Sequence, residues 1–124
     1  MIDFQNASFV KLNHADPAKA AEALDGLLVP GETVQAAFRS VRDWVIFTDR
    51  RIVTVNIQGM TGKKRDFTSL PYKRIQVFSV ETAGHFDLES ELEMWFSGLG
   101  KVMLEFANGV DIRALAQLIG SRAL

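Results

Sequence analysis

A two-residue rhythm that begins near Glu32 and lasts to Phe106 does most to limit what this chain can become. Val34, Ala36 and Phe38 alternate with Thr33, Gln35, Ala37 and Arg39. A period of two puts alternate side chains on opposite faces of an extended strand, whereas a helix would need a period near 3.6. Trp44 to Phe47 is apolar throughout, which predicts a strand covered on both faces. After a tight turn at Asp49-Arg50, the β-branched Val53, Val55 and Ile57 continue the pattern. A turn with two glycines follows, from Gln58 to Lys64. Arg65 to Leu70 reads as a short strand closed by Pro71, and Ile75 to Val80 as the next one. Leu92, Met94 and Phe96 alternate with Glu91, Glu93 and Trp95; after a hairpin loop, Ser97 to Lys101, Val102, Leu104 and Phe106 alternate with Met103 and Glu105. The count is about seven strands, at the spacing of about 8–12 residues typical of a sandwich or barrel.

Helix signals flank this block. Asp16 suits an N-cap and Pro17 the first helical position, and Ala20, Ala21, Leu24, Leu27 and Leu28 recur at helical spacing until Pro30-Gly31. Residues 1–15 show no clear period and read as a loosely docked lead-in. At the other end, Ile112, Leu115, Ala116, Ile119 and Ala123 form one apolar stripe, with Asp111 near the helix start where negative charge suits the macrodipole. That stripe has to cover the open end or face of the sheet, because neither partner can leave its apolar side wet. The organisation expected is a lead-in with a short helix over residues 1–30 and a mainly β domain over residues 31–124.

With 124 residues, 48% of them hydrophobic, the chain can bury one core without staples. It has no cysteine, so disulfides, thiolate catalysis and cysteine-based zinc sites are excluded, and a reducing compartment fits. A net charge of −1 gives no overall basic excess for a nucleic-acid duplex, so nucleic acid is not an expected partner. No basic segment followed by an apolar run opens the sequence, and no apolar stretch approaches the ~20 residues of a membrane span. The expectation is a cytoplasmic domain.

Gly31 to Lys64, with its Phe47-Thr48-Asp49-Arg50-Arg51 turn, its Gln58-Gly59 and its Lys63-Lys64, resembles the bacterial pleckstrin-homology-like family. So does Ser69 to Thr82, with Ser69-Leu70-Pro71-Tyr72. The resemblance covers roughly Gly31 to Leu124. It implies a seven-stranded, two-sheet antiparallel barrel closed by a C-terminal helix. It also implies a homo-oligomer, since members look like ring formers in which sheets of neighbouring protomers meet. It assigns no function.

Little in the sequence points to catalysis. The only imidazoles are His14, in the unpatterned lead-in, and His85, in an acidic loop. A zinc site normally needs three or four ligands. The carboxylates Glu81, Asp87, Glu89, Glu91 and Glu93 lack the spacing of a calcium loop and read as a solvated strand face with a polar loop. Gly98-Leu99-Gly100 lies between strands, so the geometry that cradles a dinucleotide is missing. No enzyme activity, metal or cofactor is expected.

Binding is the remaining possibility. Arg39, Arg42, Lys63, Lys64, Arg65, Lys73 and Arg74 form a basic set, a candidate surface for an anion or a protein partner. Arg42 and Lys63 to Arg65 belong to turns that can share one end of a meander. Pleckstrin-homology domains elsewhere hold phosphorylated head groups with basic residues there, but Ser40-Val41-Arg42-Asp43 is short, and Asp43 offsets Arg42. Anionic lipid is therefore the alternative partner. The leading expectation is a scaffold module that meets copies of itself, in a closed ring, and other proteins. Unpaired strand edges and oppositely charged patches suit head-to-tail packing. Tyr72, Glu91, Glu93 and Trp95 are the candidate oligomer contacts; Trp95 points outward, either under the terminal helix or into an interface.

Overall fold

A computed structural model describes residues 1–6 and 9–124. Its elements run β1 (Phe9–His14), α1 (Pro17–Ala23), β2 (Val34–Ser40), β3 (Asp43–Thr48), β4 (Arg51–Gln58) and β5 (Lys64–Pro71). A 3-10 turn (Tyr72–Arg74), β6 (Ile75–Glu81), β7 (Ser90–Phe96), β8 (Gly100–Phe106) and α2 (Ile112–Ala123) complete them. The seven strands read from the period are β2 to β8, and the structure adds β1. All eight belong to one curled sheet in the order β5-β4-β3-β2-β1-β8-β7-β6. β1 pairs antiparallel with β2 and parallel with β8, so it joins two antiparallel halves, and the sheet is not wholly antiparallel as expected.

β1 escapes the period because it carries a bulge. Phe9 pairs with Leu104 and Leu12 with Phe106, three residues against two, and Lys11 takes a φ of 53° between them. The extra residue turns a spacing of two into three, so the buried positions are Phe9 and Leu12.

The concave face holds the main core, including Leu12, Phe38, Phe47, Leu92, Leu104 and Phe106. Consecutive in sequence, β5 and β6 do not pair; they form the two edges of the sheet, and α2 seats Ile112, Leu115 and Ile119 in the same core beside β6 and β7. Asp111 caps α2 by accepting from Ala114 N at 3.1 Å. The convex face of β2 to β5 has a second core. There Ala20 of α1 and Leu24, its C-cap, cover Ala37, Trp44, Ile46, Val53 and Val55. That cover is the reason β3 is apolar on both sides. Asp16 caps α1, accepting from Ala18 N at 2.9 Å, and α1 ends at Ala23, so Leu27 and Leu28 lie beyond it in the loop leading to β2.

Candidate functional site

The residues that make the sequence most distinctive form a structural knot. Glu32 is buried, and its Oε1 accepts from Arg51 Nη2 at 2.8 Å and from Val29 N at 3.1 Å. Its Oε2 accepts from Thr48 Oγ1 at 2.6 Å and from Arg51 Nε at 2.9 Å. Arg51 also donates to Ser69 Oγ at 2.9 Å and to Leu27 O at 2.8 Å. Asp49 Oδ1 accepts from Thr33 N at 2.9 Å. Burial opposes ionisation of Glu32, but the Arg51, Thr48 and Val29 donors outweigh it and hold the carboxyl at about 2. Tyr72 belongs to the same knot. Its hydroxyl donates to Thr48 O at 2.7 Å, and burial raises its pKa. At 1% exposure it has no surface to offer a neighbour, which corrects its reading as an oligomer contact.

The basic set does not gather in one place. The β2–β3 turn and the β4–β5 turn do meet: Arg42 Nη1 donates to Gly59 O at 2.6 Å. Lys63 and Lys64 belong to that end, which also presents two wholly exposed apolar tips, Val41 at 99% and Met60 at 103%. Arg39 and Arg65 stand on the convex face. There the Arg39 guanidinium lies 4.4 Å from the Trp44 ring centroid, and a groove of about 370 Å³ is lined by Lys19, Glu22, Arg39, Trp44, Ile57 and Arg65. Lys73 and Arg74 are at the opposite end, a full strand of β5 away, because Pro71 pairs with Arg51 while Lys64 pairs with Gln58.

The remaining candidates share one surface, the convex face of β6 to β8. Register lines up Val77, Trp95 and Lys101 in one row, Ser79, Glu93 and Met103 in the next, and Glu81, Glu91 and Glu105 in the third. Trp95 therefore points outward, and α2 does not cover it, since that helix packs on the concave side. Where α1 covers the other half of the convex face, nothing described covers this half: Val77 is 56% exposed, and Trp95 and Met103 are half-buried. Partial burial, and then the Glu81 and Glu93 charges, push the Glu91 carboxyl above its ordinary range. A hydrogen bond shared with Glu105 does most to raise Glu89. The sequence reading singled out Glu91, Glu93 and Trp95 but not Val77 or Met103. Those two needed the cross-strand register; Val41 and Met60 were not singled out either, although each is an apolar residue inside a turn.

The two histidines are apart. His14 tilts against Phe38 with centroids 5.2 Å away, and His85 meets Phe86 edge-on at 4.8 Å. Among the described residues no three His, Asp or Glu side chains come together as a metal-holding group, and no helix is long and apolar enough to cross a membrane.

Comparison with known proteins fits this architecture. Residues 3–123 match the family described as Bacterial PH domain. The chain is 57% identical over 81 residues to the uncharacterized protein YjqA of Bacillus subtilis (strain 168), a stretch covering 65% of each chain. This sequence thus spans about two thirds of that relative's length. A crystal structure of a DUF1696 family protein with a pleckstrin-homology domain from Shewanella loihica PV-4 superimposes with a TM-score of 0.81 at 34% identity, covering 93% of this chain and 99% of the other. The pleckstrin homology domain from Shewanella amazonensis SB2B gives 0.67 at 39% identity, covering 96% and 93%. An eight-stranded curled sheet plugged by a C-terminal helix, together with these matches, makes the chain a member of the bacterial PH domain family.

Proposed function

We propose that this chain is a non-enzymatic binding module that assembles head to tail with copies of itself into a closed ring and serves as a scaffold for other proteins. The observation that carries this reading is the uncovered convex face of β6 to β8, where Val77, Trp95 and Met103 stand among glutamates. Exposed apolar side chains rimmed by charge mark interaction surfaces. A second copy suits it, because Lys19, Arg39 and Arg65 cluster on the other half of the convex face. Two complementary patches on different sides of one protomer give a heterologous contact, which closes into a ring when the rotation allows. The unpaired edges of β5 and β6 offer further backbone hydrogen bonds to a neighbour.

Light scattering after size exclusion tests the assembly. The expected mass is one discrete multiple of 13.8 kDa, falling to the monomer in Val77→Asp/Trp95→Ser. A wild-type monomer at micromolar concentration would refute the proposal.

A second reading, membrane attachment through anionic lipid, is favoured by Val41 and Met60 beside Arg42, Lys63 and Lys64. Apolar tips that enter the interface and lysines that meet anionic head groups act together. Flotation with phosphatidylserine vesicles separates the readings. Lipid attachment requires binding that weakens with salt and with Met60→Ser and Lys63→Ala/Lys64→Ala; protein left wholly in the unbound fraction excludes it.

A further inference from the structure

At the end of the sheet opposite Val41 and Met60, the β3–β4 turn, the 3-10 turn after β5 and the last turn of α2 border an open cavity of about 580 Å³. Arg50, Lys73 and Arg122 line it, with Asp49, Tyr72 and Ser121. None of these three cations forms an ion pair among the described residues. Arg50 Nη2 reaches only Pro30 O, at 3.4 Å. The other polar groups already have partners. Tyr72 donates to Thr48 O at 2.7 Å, Ser121 Oγ donates to Leu118 O at 2.7 Å, and Asp49 Oδ1 accepts from Thr33 N. The hydrogen-bonding capacity left open on the side chains of this wall is therefore mainly cationic donors.

We propose that this cavity binds a phosphomonoester dianion. Three cations face one carboxylate in the wall, and the excess matches a doubly charged group better than a lone carboxylate. This local excess stands in a chain whose net charge is −1. A concave wall lined mainly by one sign of charge raises the local concentration of the opposite ion. The guanidinium forks of Arg50 and Arg122 can each grip two phosphate oxygens, and Lys73 adds a point charge. The partial negative charge at the C-terminus of α2 works against an anion, so the side chains must supply the hold. A volume of about 580 Å³ leaves room for the group esterified to the phosphate. The ester can be a small soluble molecule or a lipid head group, and the phosphate chemistry is shared.

The test titrates the isotope-labelled full chain with glycerol 3-phosphate at constant ionic strength and follows amide resonances, with flotation on phosphatidic acid and on phosphatidylcholine vesicles alongside. Saturable shifts at Lys73, Ser121 and Arg122 are expected, weakened at least about tenfold by Lys73→Ala or Arg122→Ala and unchanged by Lys63→Ala. If only phosphatidic acid vesicles bind, and the same two substitutions release them, the source is a lipid. The proposal falls if neither probe binds, or if binding survives both substitutions. Its residues lie apart from Val77, Trp95, Val41 and Met60, so its failure leaves the assembly and membrane readings untouched.

Discussion

Glu32 carries a negative charge into the interior, and every lone-pair direction it uses meets a donor: one from its own loop before β2, the others from the end of β3 and the start of β4. Its pKa falls from 4.5 unfolded to about 2 folded. A depressed pKa means the folded state holds its proton less tightly. The contribution is then complete above about pH 4.5 and disappears as pH falls through about 2. A shift of this size corresponds to roughly 3 kcal/mol, in the range found when one partner of a buried pair is removed. Glu32→Gln should lose about that much at neutral pH, and its stability should vary less than wild type's between about pH 4.5 and 2. Urea midpoints measured across that window check it; parallel pH profiles in the two proteins would show that Glu32 is not the titrating group. The Thr48-Asp49-Arg50-Arg51 run was visible as a distinctive sequence, but its role was not. A string of polar residues at a turn looks the same whether it faces a ligand or ties down a neighbouring loop.

Among the elements, β2 to β8 and α2 were readable because each shows a regular apolar period or, in β3, an unbroken apolar run covered on both faces. β1 was not, since its bulge at Lys11 breaks the alternation. The β2–β3 turn carries backbone strain at a β-branched residue. Val41 takes a φ of 51°, left-handed geometry that a β-branched residue adopts at a cost of about 1–2 kcal/mol. Its side chain is fully exposed and makes no compensating packing. Val41→Gly relieves the clash and returns about 0.5–1 kcal/mol as chain entropy, for a net gain of up to roughly 1 kcal/mol. Thermal unfolding should show a raised Tm, and a lowered one would mean that the turn is relaxed as it stands. α1, for its part, was legible from its cap and proline, but the surface it covers was not: only the fold puts Ala20 and Leu24 over Trp44 and Ile46.

For the molecule as a whole, β1 is the joint. It is the strand that pairs with both halves of the sheet, and its inward residues enter the core they share. Leu12→Ala should therefore cost about 3 kcal/mol, as a fully buried leucine does when the site cannot collapse. Val10, which points outward on the same strand, should cost under about 0.5 kcal/mol when changed to alanine. Chemical denaturation of the pair decides the matter, and equal losses would deny β1 its seat. The sequence by itself determined the class of fold, the seven regular strands, the closing helix and the outward direction of Trp95, because period and capping are local properties of the chain. Only the tertiary structure decided that Tyr72 is internal and that the basic set divides between two ends and a face. It also decided that Arg50 and Arg122, distant in sequence, share a cavity. Such choices depend on which surfaces the curl of the sheet brings together, and no local period encodes that curvature.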